Sequence, residues 1–224
     1  MRIQVAPGTQ YIASLLVATV VSCALLGTDA ALYRVNIPWY MAWNLFLAWV
    51  PFLLALGLVH YVRHHAWSEW LPTLLTVVWL AFLPNSFYMV SDFIHLSEIA
   101  DSSQLLFSAV MFTAFIATGV VLGISSLYLV HRELKKRLPP RFAALSVAGI
   151  MLICSIAIYI GRDLRWNTWD LLVDPAGMLF DVSMRLMNPS NYGAILAVAA
   201  PFFVLLCTLY AVAWQGGKLL RARK

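Results

Sequence analysis

Residues 105–130, LLFSAVMFTAFIATGVVLGISSLYLV, indicate the fold class of this chain. They contain no Asp, Glu, Lys or Arg. A membrane-spanning helix needs about 20 mainly apolar residues, so this stretch is long enough to cross a bilayer. Similar runs recur along the chain, which is 62% hydrophobic and only 11% charged. This composition excludes a disordered chain, a nucleic-acid-binding domain and an ordinary soluble globular protein.

The hydropathy pattern predicts six membrane-spanning helices within the 224 residues. Asn188 followed by Pro189 predicts the N-cap of the last helix. We therefore expect an all-α, polytopic integral membrane bundle that forms a single domain over residues 1–224, with a short basic tail at 216–224. The predicted spans are 11–28, 39–62, 70–89, 105–130, 142–160 and 192–214.

Charged residues divide unequally between the two sides of these spans. Eleven of the 15 Lys and Arg residues fall on the side of the termini, with only two acids, Glu69 and Glu133. The other side takes four Arg and eight acids. Positive residues in short loops stay cytoplasmic, so we predict a multi-pass protein of the cell inner membrane with both termini cytoplasmic. The net charge of +5 then reflects topology, and nucleic acid is not an expected partner.

The three cysteines, Cys23, Cys154 and Cys207, lie in apolar runs without a Cys-x-x-Cys spacing. This placement predicts small core residues and favours neither disulfides nor a thiolate metal site. Residues 20–23 loosely fit a lipoprotein cleavage box. The apolar run continues past Cys23, so we expect the first helix to be retained.

The third predicted span ends in an unusually polar segment. Pro84 removes a backbone donor, which predicts a kink or break of the helix at that point. Irregular backbone at membrane depth is tolerated where it is buried in protein or lines a wet cavity. Asp92 and His95 follow at i and i+3, so they share one face if the segment is helical. We expect a short interfacial helix through Ser102 whose polar face points at the opening.

The fifth predicted span runs directly into charged residues. Arg162 and Arg165 are also spaced i and i+3, and two guanidinium groups on one face suit a phosphate or a carboxylate. Trp166 and Trp169 are predicted either to anchor the helix at the interface or to stack on an arginine or a ligand ring. The second span begins on the same side with Asn44. Three segments therefore deliver polar residues to one leaflet.

These motifs make the chain similar to a family of bacterial integral membrane proteins known as domain of unknown function 1361. The resemblance covers residues 40–172. The family often has proline at the position of Phe87, threonine at Ser91 and serine at Thr168. No activity is assigned to the family, so the resemblance implies a fold and a site without naming a function. The matching segments are WNLFLAWVP at 43–51, LPN at 83–85 with Tyr88 and 92–96, Gly119-x-x-x-Gly123 before 126–127, and GRDLRWNTWD at 161–170, the most specific.

Three classes of function remain open. In the first, which we favour, the protein binds or processes a lipid-linked or phosphate-bearing substrate at the outer face, and its partners are membrane lipids and such an anionic ligand. In this hypothesis Asp92 and His95 transfer a proton. The substrate-binding residues would be Asn44, Asn85, Arg162, Arg165, Asn167 and Asp170.

In the second hypothesis the same cluster serves a small transporter or channel, although no repeat relates the two halves of the chain. In the third, the protein is a scaffold and the two arginines pair with Asp92 and Asp170. No zinc-like ligand spacing is present, so neither a metal nor another cofactor is expected. We interpret His60, His64 and His65 as interfacial histidines.

Overall fold

The computed structural model describes residues 7–33, 38–99, 101–166 and 170–222. This part of the chain is helical and contains no strand. Six helical segments are long and apolar enough to cross a membrane, which confirms the predicted all-α membrane bundle. The helices are α1 (Pro7–Tyr33), α2 (Tyr40–Tyr61), α3 (Trp70–Tyr88), a 3₁₀ helix (Met89–Glu98), α4 (Ser102–Arg137), α5 (Pro140–Asp163), α6 (Asp170–Val173), α7 (Pro175–Met187), a 3₁₀ turn (Pro189–Asn191) and α8 (Tyr192–Ala222).

Cross-helix contacts show how the spans run. Asp29 near the end of α1 meets Ser108 near the start of α4, so these two helices are antiparallel. At the other end of α4, Arg137 donates to the carbonyl of Val62, which follows α2. The end of the bundle that carries Val62 and Arg137 is called the basic end, and the opposite end, which carries Asp92, is called the Asp92 end.

The sequence predicts a kink or a break of the third helix at Pro84, and the structure shows no break there. The α-helix continues past Pro84 to Tyr88, and the geometry changes to 3₁₀ only at Met89. A proline removes one backbone bond and crowds one turn, and the packing of α3 on its neighbours holds the rest of the helix. The 3₁₀ helix has about three residues per turn, which places Asp92 and His95 on one face as expected. It ends at Glu98, whereas the prediction carried it to Ser102.

Two glycines of α4 let α3 approach closely. A Cβ atom added to Gly123 would stand 2.8 Å from both the Phe87 ring and the Ser86 side chain. One added to Gly119 would stand 2.6 Å from Met89 Sδ and 3.1 Å from the Ser86 carbonyl oxygen. The Gly-x-x-x-Gly segment is therefore a close helix-packing face, as its spacing predicts.

A buried polar network joins α2, α3 and α4. Trp79 of α3 donates through Nε1 to Ser126 Oγ at 2.8 Å, and Ser126 Oγ donates to the Pro51 carbonyl at 2.8 Å. Ser86 Oγ donates to the Ala48 carbonyl at 3.2 Å. Because buried polar groups need partners in an apolar medium, these bonds fix the three helices relative to one another.

The segment between the fifth and sixth spans is partly helical, which the hydropathy pattern did not predict. Asp174 caps α7 by accepting from the Gly177 N–H at 2.9 Å, with Pro175 in the first turn. Asn188 accepts from the Ser190 N–H at 3.1 Å and precedes Pro189, which confirms the predicted cap before α8. These N-caps provide acceptors for backbone N–H groups at the start of each helix.

Candidate functional site

A groove opens between α2 and α5 and has α3 as its floor. Its volume is about 370 Å³, within the range of sites for small molecules and lipids. The floor residues extend along α3 from Val77 to Tyr88, about 16 Å at 1.5 Å per residue. The lining is mostly apolar and consists of Trp43, Asn44 and Leu47 of α2, Val77, Leu80, Ala81, Pro84, Asn85 and Tyr88 of α3, Ile153, Ala157, Ile160 and Gly161 of α5, and Trp166 and Met178.

Polar groups are concentrated at the Asp92 end of this groove. Asn44, Asn85 and Tyr88 line it there, while Val77, Leu80 and Ala81 line it towards the middle of the bundle. Asn85 is half-buried and its side-chain amide donates to the Phe82 carbonyl at 3.0 Å. The groove therefore changes from apolar to polar along α3.

Asp92 lies behind this polar end. It is 3% exposed, and Asn44 Nδ2 donates to its Oδ2 at 3.1 Å. Asn44 thus contacts the groove on one side and the buried carboxylate on the other. The His95 and Arg162 side chains both lie within electrostatic range of Asp92. The structure places predicted residues from α2, the 3₁₀ helix and α5 in one neighbourhood.

Arg162 holds the end of α5 against the 3₁₀ helix. Its Nη1 donates to the Ser91 carbonyl at 2.9 Å, which leaves the other guanidinium N–H groups for further partners. None of the ion pairs among the described residues includes Arg162 or Arg165. Ser91 is buried, and its hydroxyl has no hydrogen-bond partner among the described residues.

Arg165 has an unusual backbone conformation. Its φ is 58°, in the left-handed region that glycine or asparagine normally occupies after a helix. It directly follows Leu164, the C-cap of α5, and its side chain is exposed. Arg165 therefore lies beyond the end of α5, and the shared helical face that the sequence predicts for Arg162 and Arg165 does not form, because the helix ends at Asp163.

Of the other predicted site residues, His95 and Asp170 are described by the structure, and Asn167 is not. The His95 ring lies 5.3 Å from the Tyr40 ring, centroid to centroid. Asp170 is half-buried at the start of α6. Asn167, like Trp169, lies outside the described residues. Trp166 lines the groove and donates through Nε1 to Asp181 at 3.1 Å, so it both lines the site and joins it to α7.

Sequence reasoning missed two features. Ile153 and Ala157 line the groove, but in the sequence they resemble any lipid-facing residues of an apolar helix. Asp29 was placed just outside the first span, whereas it lies within α1, is 3% exposed and accepts from Ser108 Oγ at 3.0 Å. The apolar residues Ala30 to Tyr33 that follow Asp29 could have indicated this placement.

The histidines at the basic end have a partner that the sequence interpretation overlooked. His65 Nδ1 lies 3.1 Å from Glu69 Oε2, and the His65 ring stacks on Tyr61 with centroids 4.1 Å apart. Among the described residues, no three His, Cys, Asp or Glu side chains are grouped as metal ligands.

A family model described as "Protein of unknown function (DUF1361)" matches residues 43–209. The match covers about three quarters of the chain and extends from α2 into α8. It continues beyond the segment 40–172 that carries the recognised motifs. No curated protein and no solved structure matches this chain.

Proposed function

The chain belongs to the DUF1361 family of proteins of unknown function, and we propose that it binds a membrane lipid in the groove between α2 and α5. In this proposal the acyl or prenyl chain lies on the floor formed by α3. The phosphate-bearing headgroup lies at the Asp92 end. The observation that carries the proposal is the change from apolar to polar lining along this groove.

The shape of the groove supports a ligand with one long apolar part. Its floor is about 16 Å long, and its apolar part includes Val77 and Ala81 of α3 and Ile153 of α5. Val77 is 61% exposed, so the groove is accessible from the side of the bundle that faces lipid. A hydrocarbon chain can therefore enter laterally without passing through water.

The headgroup contacts follow from the polar groups around Asn44. Asn44 and Asn85 provide amides, and Arg162 keeps donors that Ser91 does not use. Arg165, two residues after the end of α5, adds a second guanidinium. A guanidinium group is suited to a phosphate because it can donate two parallel hydrogen bonds.

The leaflet follows from the charge distribution. If the positive side of the bundle is cytoplasmic, as the sequence predicts, the groove opens to the outer leaflet. The lipid would then be a phosphate-bearing amphiphile of that leaflet. The hydrogen bond to Asp92 fixes the orientation of the Asn44 amide beside the position proposed for the headgroup.

The direct test fills the groove. Ala157→Phe adds a ring to its wall, and we expect at least a tenfold loss of co-purifying phospholipid measured by native mass spectrometry. Ala144→Phe is the matched control, because Ala144 is an exposed residue of the same helix outside the groove. Equal lipid occupancy in both variants, with thermal unfolding unchanged, would refute the proposal.

The headgroup is tested separately at Arg165. Arg165→Asn keeps a residue that tolerates the left-handed backbone and removes the charge. We expect weaker binding of a phosphatidylglycerol probe and unchanged binding of a diacylglycerol probe. Arg141→Asn, at an exposed arginine of the basic end, should change neither. Equal effects on the two probes would mean that Arg165 does not contact the phosphate.

A further inference from the structure

A second group of cations lies at the basic end, between α4 and α8. Lys135 Nζ lies 5.3 Å from the centroid of the Trp214 ring, and Lys218 Nζ lies 5.9 Å from the same centroid. Both lysines are exposed, while Trp214 is half-buried. Two ammonium groups near one indole repel each other, and an anion close to both would offset that repulsion.

The indole is held in place by its neighbours. The His131 ring stacks on Trp214 with centroids 4.1 Å apart, and Tyr210 Oη lies 2.7 Å from His131 Nδ1. The Tyr128 ring lies 5.1 Å from Trp214 on another side. His131 and Tyr210 are buried. The indole that the two lysines approach is therefore held by packed aromatic neighbours.

Glu133, two residues before Lys135 in the chain, already forms ion pairs with two other side chains. Glu133 is 4% exposed and pairs with Lys136 and with Arg137, the latter at 2.9 Å. Among the described ion pairs, none includes Lys135 or Lys218. The two lysines on Trp214 thus carry positive charge that the described part of the protein does not balance.

We propose that Lys135, Lys218 and Trp214 form a binding site for the phosphate of an anionic phospholipid in the leaflet at the basic end. Lys135 lies in the last turn of α4, and Lys218 lies four residues before the end of α8. Helix C-termini favour cations, and anionic headgroups attract basic residues next to a membrane span. The indole side chain is of the kind that prefers this depth. This site is separate from the groove and does not depend on its function.

The test removes the two charges together. In nanodiscs that contain phosphatidylglycerol in phosphatidylcholine, Lys135→Gln with Lys218→Gln should weaken binding of the anionic lipid by about fivefold for each lysine removed. The matched control is Arg132→Gln with Arg141→Gln, which removes the same charge from exposed positions of the same basic run. We expect the control to retain most of the binding.

Two further arms distinguish the sources of the phosphate. Inorganic phosphate added to the detergent-solubilised protein should compete with the phosphatidylglycerol headgroup only at millimolar concentrations if the lipid is the ligand. Competition at micromolar concentrations would still support a phosphate site, but with a soluble ligand. An equal loss of lipid in the two double variants would overturn the proposal, because general charge attraction would then explain the binding. Lys218→Gln alone provides the same comparison with half the charge change.

Discussion

The two faces of α3 differ sharply, although they belong to one helix of 19 residues. One face carries Trp79, Ser86 and Phe87, which are at most 1% exposed and pack on α4 at the two glycines. The opposite face carries Val77, Ala81 and the other floor residues of the groove. The comparison indicates that stability depends mainly on the packed face, while the open face is available for a ligand.

The largest expected effect comes from breaking the packed face. Gly123→Leu places a branched side chain where even a Cβ atom would meet Phe87 at 2.8 Å. We expect a loss of about 3 kcal/mol or more in the free energy of unfolding, since overpacking of a rigid seam costs 1–3 kcal/mol in typical cases. Thermal unfolding of the variant and the parent protein in detergent measures this loss of stability.

Gly149→Leu is the matched control for that variant. A Cβ atom at Gly149 has no heavy atom within 4 Å, so the same substitution is expected to cost little. If the two variants unfold at the same temperature, the close packing of α3 on α4 does not limit stability.

The second largest loss of stability is expected at the hydrogen bond between Asn44 of α2 and Asp92 of the 3₁₀ helix. Asn44→Ala removes the amide that donates to the buried Asp92 carboxylate, and hydrogen bonds to charged groups contribute about 1.5–3 kcal/mol. We expect a loss of about 2 kcal/mol in stability by chemical denaturation. Asn44→Ala combined with Asp92→Asn should recover part of this loss, because the uncharged amide is less costly to bury without Asn44. An additive double variant would contradict the coupling of the two residues.

The smallest effect is expected at Arg165, just beyond the end of α5. Arg165→Gly removes a left-handed strain of about 1 kcal/mol, so we expect it to be more stable than Arg165→Ala by about that amount. Differential scanning fluorimetry of the two variants measures the difference. The outcome that contradicts the account is equal stability, which would mean that Arg165 is not held in the left-handed conformation.

The fold was predictable because its signals are local. Apolar runs such as residues 105–130 specify spanning helices by length alone, and Asn188–Pro189 specifies a cap by two residues. The absence of a break at Pro84 could not be predicted. A proline affects one helical turn, and the sequence does not show how firmly α2 and α4 hold the rest of α3. Helix α7 was not predicted because it lies between two spans and contains no long apolar run.

The candidate site was predictable only in part. Asp92, Asn44 and Arg162 stand out as polar residues at the ends of apolar spans, and the structure brings them together. The groove could not be predicted, because Ala157 and Ile153 become its walls only through the placement of α5 beside α3. The hydrogen bond from Arg162 to the Ser91 backbone carbonyl could not be predicted either, because a carbonyl acceptor leaves no mark in the sequence.

Photo-crosslinking can show whether a lipid chain lies in the groove between α2 and α5. A phospholipid with a diazirine in its acyl chain would be incorporated into proteoliposomes, irradiated, and its adducts mapped by mass spectrometry. If the groove holds the chain, adducts concentrate on peptides that contain Val77, Ala81 or Ile153 and disappear in Ala157→Phe. If adducts are equally frequent on exposed α1 residues such as Val20, which is 67% exposed, and persist in Ala157→Phe, the groove is not a lipid-binding site.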